Sequence, residues 1–124
     1  MKKTIAALAL VSAAAASHAQ NTTIYSGFFD GNLYRGLSPT QQQPYITGVI
    51  DGFYAANLFD AHNNEVQSLV TCLRTMKANN AQATAIVNRW MDSHPEMWGS
   101  TMASLVFAAL AGACQTIGSP IQLK

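Results

Sequence analysis

Hydrophobic and polar positions along this chain repeat at helical spacing, most densely near its C-terminal end. In the stretch 100–114, STMASLVFAALAGAC, only Ser104 is polar between Met102 and Cys114. A helix apolar on every side is expected in the middle of a bundle. Its small residues (Ala103, Ala108, Ala109, Ala111, Gly112 and Ala113) would let neighbouring backbones come close. The run falls short of the roughly 20 apolar residues that a membrane span requires.

Three further helices are expected upstream. Ser38-Pro39-Thr40-Gln41 is a helix start, with Ser38 as cap, Pro39 at the first helical position and Gln41 completing a capping box. Pro44 predicts a kink or a restart one turn later. The body of this helix runs from Tyr45 to Phe59, with Tyr45, Val49, Gly52, Ala56 and Phe59 at helical spacing. Gly48 and Gly52 lie four apart on one face, and each costs a helix about 1 kcal/mol relative to alanine. Close approach of the small-residue C-terminal helix is the expected compensation. The polar turn Asp60-Ala61-His62-Asn63-Asn64 follows.

Asn64 and Gln67 then repeat the start signal with amides. Val66, Leu69, Val70, Leu73 and Met76 form an amphipathic stripe, with Cys72 beside it. The pattern breaks over Lys77–Asn80, and Asn79 or Asn80 is expected to cap the next helix. Its apolar face is Ile86, Val87, Trp90 and Met91. His94-Pro95 ends it, because a residue before proline is pushed out of the helical region. A tight link through Met97 and Trp98 leads to the last helix, which Gly118-Ser119-Pro120 closes. The expected fold is all-α, a bundle of four main helices with short extra turns and no strand.

The N-terminus reads differently. Lys2 and Lys3 precede an apolar run from Ile5 to Ala16 and then Ser17-His18-Ala19, the arrangement of a secretory signal peptide. Cleavage is expected after Ala19, leaving residues 20–124 as one domain. Residues 20–35 are interrupted by Gly27 and Gly31, but Ile24, Tyr25, Phe28, Phe29, Leu33 and Tyr34 are costly to expose, so this arm should lie over the bundle. Asn32 is the expected cap of a short helical turn there.

Export alters the charge and cysteine arguments. The full chain of 124 residues carries seven Lys and Arg against six Asp and Glu. Without Lys2 and Lys3 the net charge is −1. So sparse a charge gives no basic footprint for nucleic acid and no like-charged tail. Two cysteines in an exported chain, Cys72 and Cys114, read as one disulfide. A loop that long is worth about 4 kcal/mol in the chain-entropy model. A catalytic thiol or a metal site at these cysteines has little support.

Catalytic chemistry is sparse. No glycine-rich phosphate loop, HExxH run or nucleophile motif is present. General acid–base work needs titratable groups placed together, and His62 and His94 stand at opposite ends of a two-helix unit. Asp51, between the two glycines, reads as a surface carboxylate. No metal or cofactor is expected. Trp98, in a link after a proline, is a candidate partner anchor, although a structural tryptophan is the simpler reading.

Taken in order, these residues resemble a known family. Tyr45-x-x-Gly48-x-x-Asp51-Gly52, Cys72, Gln82 opening a helix, Asp92-Ser93-His94-Pro95-Glu96, Met102-Ala103-Ser104-Leu105-Val106, Ala109-Leu110 and Cys114 resemble the Rap/Tai immunity proteins of type VI secretion systems. The Pro95-Glu96-x-Trp98 turn is closest to the branch that neutralises the fourth class of peptidoglycan amidase effector. Gly31-Asn32-Leu33-Tyr34 is similar to the family's Gly-Asn-x-Leu opening without its acidic residue. Leu73-Arg74 after Cys72 departs from the usual Cys-Ile-Pro style run.

The resemblance implies a periplasmic, dimeric protein, not an enzyme, that plugs the active-site cleft of a cognate amidase and protects the cell from its kin. It implies no nucleic-acid partner and no membrane association once the leader is cut. Effector contacts are expected in the turns, at Asp60, His62, Asn63, Asn64, Lys77, Asn79, Met97 and Trp98. The competing reading is a small periplasmic acid-stress chaperone, against which the shortage of titratable carboxylates argues.

Overall fold

A computed structural model describes residues 29–59 and 62–121. The proposed leader, residues 20–28 of the arm, and Asp60 lie outside the described residues. Five α-helices follow one another: α1 (Gly31–Arg35), α2 (Pro39–Phe59), α3 (Asn64–Met76), α4 (Asn80–Asp92) and α5 (Met102–Thr116), with a 3-10 turn at Pro95–Met97 before α5. The fold is all-α, with four main helices and short extra turns. The one piece of extended pairing among the described residues is an isolated antiparallel bridge between Asp30 and Thr101.

Local chemistry explains the starts. Asn79 accepts from the Gln82 backbone N–H while the Gln82 side chain accepts from the Asn79 N–H, which makes the capping box at α4. At α2 only half of the expected box forms: the Gln41 side chain accepts from the Ser38 N–H, but Ser38 Oγ bonds the Thr40 and Gln41 side chains, and the Gln41 N–H donates to the Ser38 carbonyl. Two caps differ from expectation by one or two positions. Asp30, not Asn32, caps α1 by accepting from the Leu33 N–H. Asn63, not Asn64, caps α3 through the Val66 N–H. In each case the side chain sits three residues before the amide it satisfies.

Pro44 neither breaks nor restarts α2, which is helical from Pro39 to Phe59. The proline falls within the first turns, and twenty helical neighbours hold the segment.

The buried face of α2 also differs from expectation. Ile46 is fully buried and Tyr45, Val49, Ile50 and Phe53 pack on the core, whereas Gly48, Gly52, Ala56 and Phe59 face outward. The stripe through Ile46, Ile50 and Phe53 carries more apolar area than the one through Gly52 and Ala56, and the packing of α3 and α4 against α2 selects it. A β-carbon at Gly48 or Gly52 would meet nothing within 4 Å. The expected close approach to α5 is absent there.

The core joins Tyr34, Leu69, Val87, Met91, Met102, Leu105, Val106 and Leu110, all nearly or fully buried. Helix α5 touches each of the other four helices. Only one of its sides is sealed, however. Ala103 and Ser104 are exposed, and Ala111, Gly112 and Ala113 are half-buried. Cys72 and Cys114 are bonded, with Cα atoms 6.0 Å apart, both fully buried. The bond ties α3 to α5 deep in the bundle.

Candidate functional site

The turns expected to contact a partner are positioned by helix caps. His62 and Asn63 precede α3; both are exposed, and Asn63 spends its side-chain oxygen on the cap. Asn64 opens α3 and is exposed. Lys77 ends α3 in the left-handed region, φ 51°, with its N–H donating to the Leu73 carbonyl. Asn79 opens α4. These groups are not brought to one place. Asn63 and Lys77 stand at the two ends of a thirteen-residue helix, roughly 20 Å apart at the usual rise. Asn79 is likewise separated from Met97 and Trp98 by the length of α4.

The turn after α4 is tightly held. Trp98 is half-buried, and its indole N–H donates to the Met91 carbonyl at 2.8 Å. The Arg35 guanidinium lies 3.9 Å from the Trp98 ring and pairs with Asp92 at 2.6 Å. Main-chain bonds stitch α1 to the same turn: Asn32 N–H to Trp98 O, Gly31 N–H to Ser100 O, and Met102 N–H to Phe29 O. Arg35 and Asp92 are both substantially solvated, so the ion pair itself contributes little, up to about 1 kcal/mol. The cation over the ring adds roughly 0.5–1 kcal/mol. Met97 is 40 % exposed beside it.

Beneath this turn runs a polar relay. The fully buried Tyr34 donates from its hydroxyl to Asn88 at 2.9 Å, and Asn88 donates to Gln42. Burial pushes the Tyr34 pKa up to about 12, with the neighbouring Tyr45 adding to the effect. Burial also raises that of Tyr45. A phenol held neutral in this way joins α1 to α4 and α2. Among the described residues no group of three or more His, Cys, Asp or Glu side chains converges as a metal site. His94 stacks on Trp90 at 4.1 Å, with Nδ1 paired to the Trp90 carbonyl.

Two features of the surface are not legible in the sequence. Leu58 and Phe59, at the end of α2, are 81 % and 89 % exposed. The helical spacing of Phe59 with Tyr45, Val49, Gly52 and Ala56 suggests a buried position, and only the competing stripe through Ile46 and Phe53 reveals otherwise. The second is a trough of about 490 Å³ floored by Ile86, Trp90, Ala109 and Ala113. It opens because α5, apolar on all sides, is covered on only some of them. No helix among the described residues is long and apolar enough to cross a membrane.

Comparison with known proteins identifies the lineage of this bundle. No protein of curated function and no solved structure matches the chain. A family model, that of the Rap1a immunity proteins, matches residues 7–114, which spans all of α1 to α4 and α5 as far as the disulfide. The chain therefore belongs to the Rap1a immunity protein family.

Proposed function

We propose that this protein is exported to the periplasm, where it binds a cognate type VI secretion amidase and occludes the cleft that cleaves peptidoglycan stem peptides. Membership of the immunity family carries the reading. The disulfide supports an oxidising compartment, since such bonds are rare in the reducing cytosol. The charged and apolar start of the chain, residues 1–19, supports export. The effector is of the fourth amidase class, on the strength of the Pro95-Glu96-x-Trp98 turn. The protein acts by blocking access and is not itself an enzyme.

The contacts are placed in the turns, at Asp60, His62, Asn63, Asn64, Lys77, Asn79, Met97 and Trp98. Exposed Leu58 and Phe59 flank the first of these turns and supply the apolar area that a stable interface needs. Because the α3–α4 turn lies a helix length from each of the other two, a homodimer is the arrangement in which different turns of two copies address one effector. A tight complex would bury about 1,200–2,000 Å² in total.

The test is a competition assay. A strain lacking this gene, but carrying all other immunity genes, is mixed with a sister strain that fires the amidase. The reading expects loss of the recipient, rescued by the exported protein and not by a leaderless form. Undiminished survival of the deletion strain would reject it.

A further inference from the structure

The trough on the open side of α5 has a chemistry that points to one kind of occupant. Its floor is Met76, Ile86, Trp90, Ala109, Ala113 and Ile117, with Ile117 half exposed. Past Met76, Ile86 and Arg89 it runs on into a second depression of about 340 Å³ at the α3–α4 turn, which includes Lys77. Among the described residues no Asp or Glu lines either part. The described residues hold four Arg or Lys side chains. Arg35 is paired with Asp92, and Arg74 lies over Tyr54. The other two, Arg89 and Lys77, stand on this trough, and among the described residues neither has an ion pair. Lys77 keeps a cation at a left-handed position where glycine or asparagine is usual. A backbone outlier of that kind is reason to look for function.

We infer that the trough receives a segment of the effector in which a large apolar side chain lies next to a carboxylate. The apolar side chain would cover Trp90 and Ile86, and the carboxylate would meet Arg89 and Lys77. Charge complementarity selects this occupant: residues 20–124 are slightly acidic overall, yet this face is locally cationic and, among the described residues, lacks a counter-charge. The inference rests on the effector-binding reading above and names the surface that serves it.

The experiment uses the whole processed chain and the purified amidase of the same strain. Gly112 lines the trough and a β-carbon there meets nothing within 4 Å, so Gly112→Phe starts a ring into the trough from a position with room for its first carbon. Arg89→Glu reverses its charge without breaking an ion pair. Gln115→Phe, exposed on the same helix outside the trough, is the control. Gly112→Phe and Arg89→Glu should each weaken binding by at least about tenfold, the size of an interface hot spot, with unchanged thermal melting. Gln115→Phe should stay within about twofold, the range of an energetically neutral contact. If Gly112→Phe does not fold, Arg89→Glu decides alone.

Wild-type binding with both trough variants unimpaired would overturn the inference and leave the function standing. A change in sedimentation with unchanged effector affinity would assign the trough to a second copy of the chain, and a lowered melting point for Gly112→Phe with unchanged affinity would assign it to the chain's own residues 20–28. Either result overturns it. Failure of the wild-type protein to bind at all would instead reject the reading of function.

Discussion

Gly31 lies against the backbone of Trp98, so close that a β-carbon at position 31 would stand 2.8 Å from the Trp98 carbonyl oxygen. The same atom would meet the Leu105 side chain at 2.8 Å. Leucine can shift a rotamer, but the Trp98 main chain cannot move without giving up its bonds to Asn32 and Pro95. Gly31→Ala should therefore destabilise the domain by about 1–3 kcal/mol, as overpacking does. Urea titration checks this, and the variant should also loosen the Trp98 environment in its fluorescence.

Gly48 and Gly52 predict the opposite sign. Both are exposed in the interior of α2, and nothing would meet the added carbon. Replacing either with alanine removes backbone freedom from the unfolded chain and should add about 0.5–1 kcal/mol. A loss of stability would show that these positions touch something in solution.

Tyr34 makes stability fall at alkaline pH. Its pKa is near 10 when unfolded and about 12 when folded, so the fold favours the neutral phenol. The contribution is complete below pH 10 and is lost as pH rises through 12. Tyr34→Phe should lose about 1 kcal/mol near neutral pH with its bond to Asn88. Its stability should then decline less steeply than wild type between pH 10 and 12. Parallel curves in that window would contradict the account.

The disulfide closes a loop of 42 residues and connects two fully buried positions. Reduction, or replacement of both cysteines by alanine, should cost about 3–4 kcal/mol. Set against a typical total of roughly 5–15 kcal/mol, that loss would lower the denaturant midpoint sharply. Unchanged midpoints with and without reductant would count against it.

These expectations separate what the sequence makes legible from what it does not. The four main helices, the Asn79 capping box and the Cys72–Cys114 bond follow from local pattern and from counting cysteines. Which side of α2 turns inward does not. Two stripes on that helix have helical spacing, and only the neighbours decide that Ile46 and Phe53 win over Gly52 and Phe59. The open side of α5 was hidden for a similar reason. A helix apolar all round shows how much it could bury, not how much its partners cover. Trp98 was legible as part of the link after Pro95, but its tie to Met91 and the Arg35 cover depend on side-chain contacts that local pattern does not encode. The turns were each legible, and their separation by the lengths of α3 and α4 became plain only in three dimensions.

The central claim is that this bundle works by occupying another protein's cleft. The most direct measurement is hydrolysis of peptidoglycan stem peptides by the purified cognate amidase, titrated with the processed, disulfide-bonded protein. The account predicts that turnover falls to background at a fixed stoichiometry and that the protein alone releases no product. An amidase that stays fully active in the presence of excess protein would contradict it.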